Sequence, residues 1–139
     1  MTQALADAAL AYVGTRFLAG GRSRHGMDCS GLVLASAWDC GIPLPPFTGF
    51  RPGGCRSAQA IAAALERYCA PAEGPESTPG LIVGVQILSY PRPRHLAITT
   101  GAGMAVHAAE GFRVMEVPLN GLGGKILGAW KLTAWPPLH

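Results

Sequence analysis

The chain has 139 residues, 49% of them hydrophobic and 14% charged. That is enough to bury about 68% of the extended surface in one domain, and it is too apolar and too weakly charged for a disordered chain. Nine Arg and two Lys against eight acids leave a net charge of +3, a mild excess that implies no nucleic-acid partner.

Gly and Pro together supply 31 residues, below the low-complexity range of about 25–30% but enough to require long ordered loops. The most apolar run, Leu81 to Leu88, is broken by Gly84 and Gln86 and falls far short of the roughly 20 residues of a membrane span. Met1-Thr2-Gln3 offers no basic head and Asp7 interrupts the apolar stretch a secretory leader needs. The expectation is synthesis in the cytoplasm without a signal peptide. Cys29, Cys40, Cys55 and Cys69 are then expected to be reduced, and their spacing lacks the Cys-x-x-Cys zinc signature.

Taken in chain order, Thr2 to Val13 reads as a helix with Leu5, Ala8, Ala9 and Tyr12 on one face and Gly14 to end it. Residues 15 to 28 form a Gly- and Arg-rich loop. A second helix starts at Cys29 and runs to Cys40, closed by Gly41 and Pro43. Residues 41 to 55 read as a long irregular loop, and a third helix spans Ser57 to Cys69 with Ile61, Leu65 and Tyr68 as its buried stripe.

After a turn-rich stretch, five short segments bounded by Gly or Pro read as strands: Leu81–Leu88, His95–Thr100, Met104–Ala109, Arg113–Val117 and Lys125–Thr133. Helices first and antiparallel strands second predict a single α+β domain over 1–139, with helices packed on a small antiparallel sheet.

The sharpest local feature is Asp28-Cys29-Ser30-Gly31. On the first turn of a helix Cys29 meets unpaired N–H groups and the positive end of the dipole, which favour a thiolate. Asp28 is placed to cap that helix, although its charge opposes the thiolate unless its hydrogen bonds neutralise it. Gly31 leaves room for a substrate backbone. The competing reading makes Cys29 a small buried hydrophobe.

A nucleophilic Cys needs a base and a group to orient that base. A three-residue loop at Gly101-Ala102-Gly103 pairs positions summing to 204, setting His95 opposite Ala109 and Ala97 opposite His107. The two imidazoles then share a face as diagonal neighbours, roughly 7–8 Å apart at Cα. A two-residue loop would put them on opposite faces. His25 and His139 read as ordinary polar residues. A zinc site from Cys29, His95, His107 and water is the other arrangement open to these residues, without a fourth ligand or paired spacing to support it. No metal or other cofactor is expected.

These residues resemble the NlpC-type cell-wall cysteine peptidases, and the resemblance covers most of the chain. Gly14-Thr15-Arg16-Phe17-Leu18-Ala19-Gly20-Gly21 is similar to the family's Gly-x-Pro-Tyr-x-x-Gly-Gly segment, and Asp28-Cys29-Ser30-Gly31 to its nucleophile motif. His95-Leu96-Ala97-Ile98 resembles the strand bearing the family's His, Met104-Ala105-Val106-His107-Ala108 the strand bearing its third polar residue, and Ile126 to Leu132 its last strand. The resemblance implies a papain-like α+β fold in which Cys29 attacks, His95 moves the proton and His107 orients His95. The implied substrate is the peptidoglycan stem peptide, cut at the γ-D-glutamyl link to a diamino acid. Small members without leaders are often phage or gene-transfer-agent tail components, so assembly at a tail tip, with tail or hub proteins as partners, is implied as well.

Two departures stand out. Phe17 occupies the place of a Tyr whose hydroxyl commonly helps bind the oxyanion, and Val83-Gly84-Val85 replaces a frequent Pro-Gly-Asp. The first admits an inactive structural tail-hub subunit as the alternative. An amidase or acyltransferase on the same scaffold is a third reading. Arg16, Arg22 and Arg24 could meet stem-peptide carboxylates or form a solvated basic loop. Trp38, Trp130 and Trp135 read as core or interface anchors, and the tail from Trp135 to His139 as a docking segment.

Overall fold

The computed structural model describes residues 2–47 and 55–133, with the side chains of 55–59 excepted. Helix α1 spans Thr2–Leu10 and buries Leu5, Ala6 and Ala9. It ends one turn before the expected Val13, and the chain reverses at Gly14 in the left-handed region (φ 97°), where glycine carries no Cβ penalty.

The expected loop at 15–28 holds a small hairpin, β1 (Arg22–Ser23) with β2 (Gly26–Met27). Two-residue strands in a Gly-rich setting have no periodicity to read. Helix α2 (Cys29–Asp39) follows at once, capped by Asp28, and every residue from Cys29 to Ala37 is buried. It is the central helix of the fold. Helix α3 spans Cys55–Tyr68, with Ile61 and Leu65 buried.

The expected Cys69 helix end is instead the start of β3 (Cys69–Pro71). The remaining strands are β4 (Ile82–Val85), β5 (His95–Gly101), β6 (Met104–His107), β7 (Met115–Pro118) and β8 (Ile126–Leu132). They form one sheet in the order β3-β8-β4-β5-β6-β7, antiparallel throughout. β3 exists because its ladder partner is β8, from Cys69↔Leu132 to Pro71↔Trp130, a pairing no local window contains.

Strand alternation divides the apolar residues between two faces. Ile82, Leu96, Ile98, Val106 and Leu132 join Leu5, Leu32 and Ile61 in the core under the helices. Leu81, Val83, Val85, Ala97, Ala105 and Ala129 form a second cluster with Leu122 on the other face. Burial of each such Leu, Ile or Val contributes about 1.5–3 kcal/mol. Gly84 is required here, since a Cβ would come within 2.8 Å of Pro93 and 2.9 Å of Trp130.

Candidate active site

The hairpin of β5 and β6 decides whether the two histidines meet. Its tip is the two-residue alternative: Gly101 pairs with Met104 across Ala102-Gly103. A register shift between Thr99 and Gly101 adds back one residue, and the ladder continues as Thr99↔Ala105, Ile98↔Val106 and Ala97↔His107. The two-residue tip and the bulge together give the register of the three-residue alternative. The ladder ends at His107, so Ala109 has no partner at His95.

His95 and His107 therefore share a face, and His95 Nε2 lies 2.8 Å from His107 Nδ1, with the rings edge to face at 73°. His107 is buried and His95 half-buried. Burial pushes the His95 pKa down to about 4, and the neighbouring His107 adds to that shift. Burial lowers His107 as well. Both rings are neutral at neutral pH, so one donates in the bond between them and the other accepts.

Cys29 occupies the first position of α2 and is 4% exposed. Burial, reinforced by the Asp28 carboxylate, pushes its thiol up to about 12. The backbone N–H groups of Leu96, Ser30 and Cys29 itself oppose that shift. The Leu96 N–H reaches the sulfur, so the thiol sits against the peptide that follows His95.

Asp28 is 1% exposed and organises the helix start. It accepts from Gly31 N at 2.7 Å, Ser30 Oγ at 3.1 Å and Gly20 N at 2.8 Å. These bonds satisfy a buried carboxylate without cancelling its field at Cys29. Gly31 has a packing role of its own. A Cβ there would overlap the Gly21 carbonyl, so the missing side chain admits this chain's own loop.

Phe17 forms a parallel bridge with Met27 and packs partly buried against the helix-side core. The arginines divide. Arg24 folds away from the loop, with Nη1 donating to Ala11 O at 3.0 Å and its guanidinium 4.9 Å from the Tyr12 ring centre. Arg22 stands exposed on β1. Arg16 is exposed and forms an antiparallel bridge with Arg113, a partner the sequence reading did not mark.

Trp38 Nε1 donates to Leu44 O at 2.8 Å, and Trp130 packs partly buried against the core. Trp135, the tail it begins and His139 lie outside the described residues. Among the described residues no three His, Cys, Asp or Glu side chains are arranged to hold a metal ion, so the zinc arrangement lacks a ligand set. No helix among them is long and apolar enough to cross a membrane.

Comparisons with known proteins agree with this architecture. The NlpC2 protein of Trichomonas vaginalis superposes with a TM-score of 0.72 at 17% identity, over 94% of this chain and 47% of its own. The NlpC/p60 domain of the peptidoglycan hydrolase SagA gives 0.68 at 19% identity, over 96% and 99%. In sequence, the probable endopeptidase Rv2190c of Mycobacterium tuberculosis is 31% identical over 121 residues, which are 86% of this chain and 27% of the relative. The chain thus spans about a quarter of the length of the curated relatives it matches. The family profile of NlpC/P60 matches residues 14–125, from the glycine after α1 to the residue before β8. This chain belongs to the NlpC/P60 family.

Proposed function

We propose that the chain is a thiol endopeptidase acting on peptidoglycan stem peptides, with Cys29 as nucleophile, His95 as proton carrier and His107 as the group that orients it. The observation that carries this reading is the 2.8 Å bond between His95 Nε2 and His107 Nδ1, beside a thiol on the first turn of a buried helix. With Nε2 engaged by His107, Nδ1 is the His95 nitrogen left to take the thiol proton. The Nε2–H tautomer then donates to His107 Nδ1 and steadies the imidazolium that forms.

At rest burial keeps Cys29 a thiol and His95 neutral. The proton therefore moves as sulfur attacks the carbonyl, and His95 later returns it to the leaving amine. In this reading the Cys29 N–H at the helix start donates to the oxyanion. The bond in this reading is the γ-D-glutamyl link to the diamino acid. Support comes from membership of NlpC/P60 and from a relative named probable endopeptidase.

Incubating the purified chain with isolated peptidoglycan and defined stem peptides, beside Cys29→Ala, tests this by mass spectrometry. Cleavage at the γ-D-glutamyl bond, absent in the variant, is expected. A different cleaved bond overturns the specificity, hydrolysis of the amide that joins the stem peptide to the sugar favours an amidase, and an acyl-transfer product favours an acyltransferase.

Phe17, which supplies no hydroxyl, favours the second reading of an inactive structural subunit; a folded chain that leaves every wall type intact would establish it. Assembly at a phage-like tail tip is a further proposal, resting on the resemblance to small tail-borne members. Detection of the chain in purified particles tests it, and its absence from them overturns it.

A further inference from the structure

The hydrolase reading leaves two exposed arginines without a role. Arg16 and Arg113 are direct partners on an antiparallel bridge, so their side chains leave one face with Cβ atoms roughly 4.5–5.5 Å apart. Like charges set opposite in this way are unfavourable. Among the described residues neither guanidinium has an ion pair with a carboxylate.

Each is instead anchored by one backbone carbonyl. Arg16 Nε donates to His25 O at 2.7 Å, and Arg113 Nη1 donates to Gly14 O at 2.9 Å. The backbone between them is fixed by Gly14 N to Val114 O at 2.9 Å and Val114 N to Thr15 O at 2.7 Å. A guanidinium carries five donors, so both keep donors for a ligand.

Their place in the fold is what makes the pair informative. Met115, two residues after Arg113, is the direct ladder partner of His107. Val114, between them, is buried in the helix-side core, so alternation puts Arg113 on the face of Met115 and His107. Two strand residues cover about 6.6 Å, a distance one or two residues of a bound peptide can bridge.

We propose that Arg16 and Arg113 form a carboxylate-binding subsite that holds a free carboxylate of the peptide substrate beside the His95–His107 pair. The planar forks of two guanidinia suit a carboxylate, and a bound anion relieves their mutual repulsion. The proposal rests on the hydrolase reading for the identity of the substrate.

The test measures binding of stem peptides to the Cys29→Ala chain by titration calorimetry, independently of turnover. Two peptides are used, one with its carboxylates free and one with them amidated. Arg16→Gln with Arg113→Gln is expected to weaken the free-acid peptide about tenfold or more and to leave the amidated peptide unchanged. The Arg16→Lys, Arg113→Lys pair, which keeps charge without the fork, is expected to recover part of the affinity and so exclude misfolding as the cause.

Equal weakening of both peptides, no weakening of either, or no binding of the free acid to the arginine-bearing chain overturns the subsite. Wall cleavage without carboxylate selectivity overturns the subsite alone. Carboxylate-selective binding without cleavage overturns the hydrolase reading alone.

Discussion

His95 Nε2 and His107 Nδ1 face each other at 2.8 Å across neighbouring strands, and this bond ties the tautomer of one ring to that of the other. If His107 accepts, His95 carries its proton on Nε2 and presents a bare Nδ1. His107→Ala removes the acceptor and frees the ring to adopt the wrong tautomer. The expected outcome is a loss on the order of 10²-fold in kcat with KM little changed, measured on a defined stem peptide.

The same histidines make stability depend on pH. His95 has an unfolded pKa near 6.5 and a folded value of about 4, so between these values the unfolded chain binds more protons. Stability is fully present above 6.5 and is lost as pH falls towards 4, by up to about 3 kcal/mol from this residue. His107 acts in the same direction. Urea unfolding at pH 7 and pH 4.5 checks this, and His95→Gln should flatten the dependence.

Cys29 responds at the other end of the scale. Because burial and the Asp28 charge raise its thiol from 9.0 to about 12, alkylation of the free chain should be slow at neutral pH and climb throughout the alkaline range. Asp28→Asn removes the charge and should move that profile to lower pH. The amide must also set a donor against Gly20 N, which now donates to Asp28 Oδ2, so a stability loss of about 1–3 kcal/mol accompanies it. A profile that stays in place would contradict the role given to the Asp28 field.

Gly31→Ala forces a Cβ onto the Gly21 carbonyl, the same carbonyl that accepts from Asp28 N at 3.2 Å. Neither group is the free end of a flexible side chain, so the loop or the helix start must shift. The expected cost is about 1–3 kcal/mol, read from thermal unfolding, together with reduced turnover because Cys29 moves with the helix.

Phe17→Tyr places a hydroxyl at the position where the resemblance to the NlpC-type motif implies one. If that hydroxyl reaches the oxyanion, kcat should rise tenfold or more, within the roughly 10²–10³ attributed to one such donor. An unchanged kcat would mean that the Cys29 N–H and its neighbours already supply the needed donors.

Some of this protein was legible in its sequence because the signals are local. Asp28 before an apolar run marks a helix start, and the helix does begin at Cys29. Alternation and bounding Gly or Pro residues located β4 to β8, with ends displaced by a few residues. Parity left the two histidines on one face or on opposite faces, and the choice fell to the hairpin tip. Its length and the bulge offset each other, and a periodicity argument registers only their sum.

Tertiary structure decided what depends on partners distant in the chain. β3 is a strand only because β8 lies beside it, and Gly31 is a glycine because Gly21 comes back against it. Arg24 turned from candidate ligand to a prop on Tyr12, while Arg16 acquired Arg113. The Cys29 thiol shows the same division. Its helix position argues for an acidic thiol, but packing removes the water that would solvate the charge, and desolvation outweighs the N–H groups around it. Local sequence sets which groups stand at the helix start. Burial, which only the whole fold creates, sets their protonation.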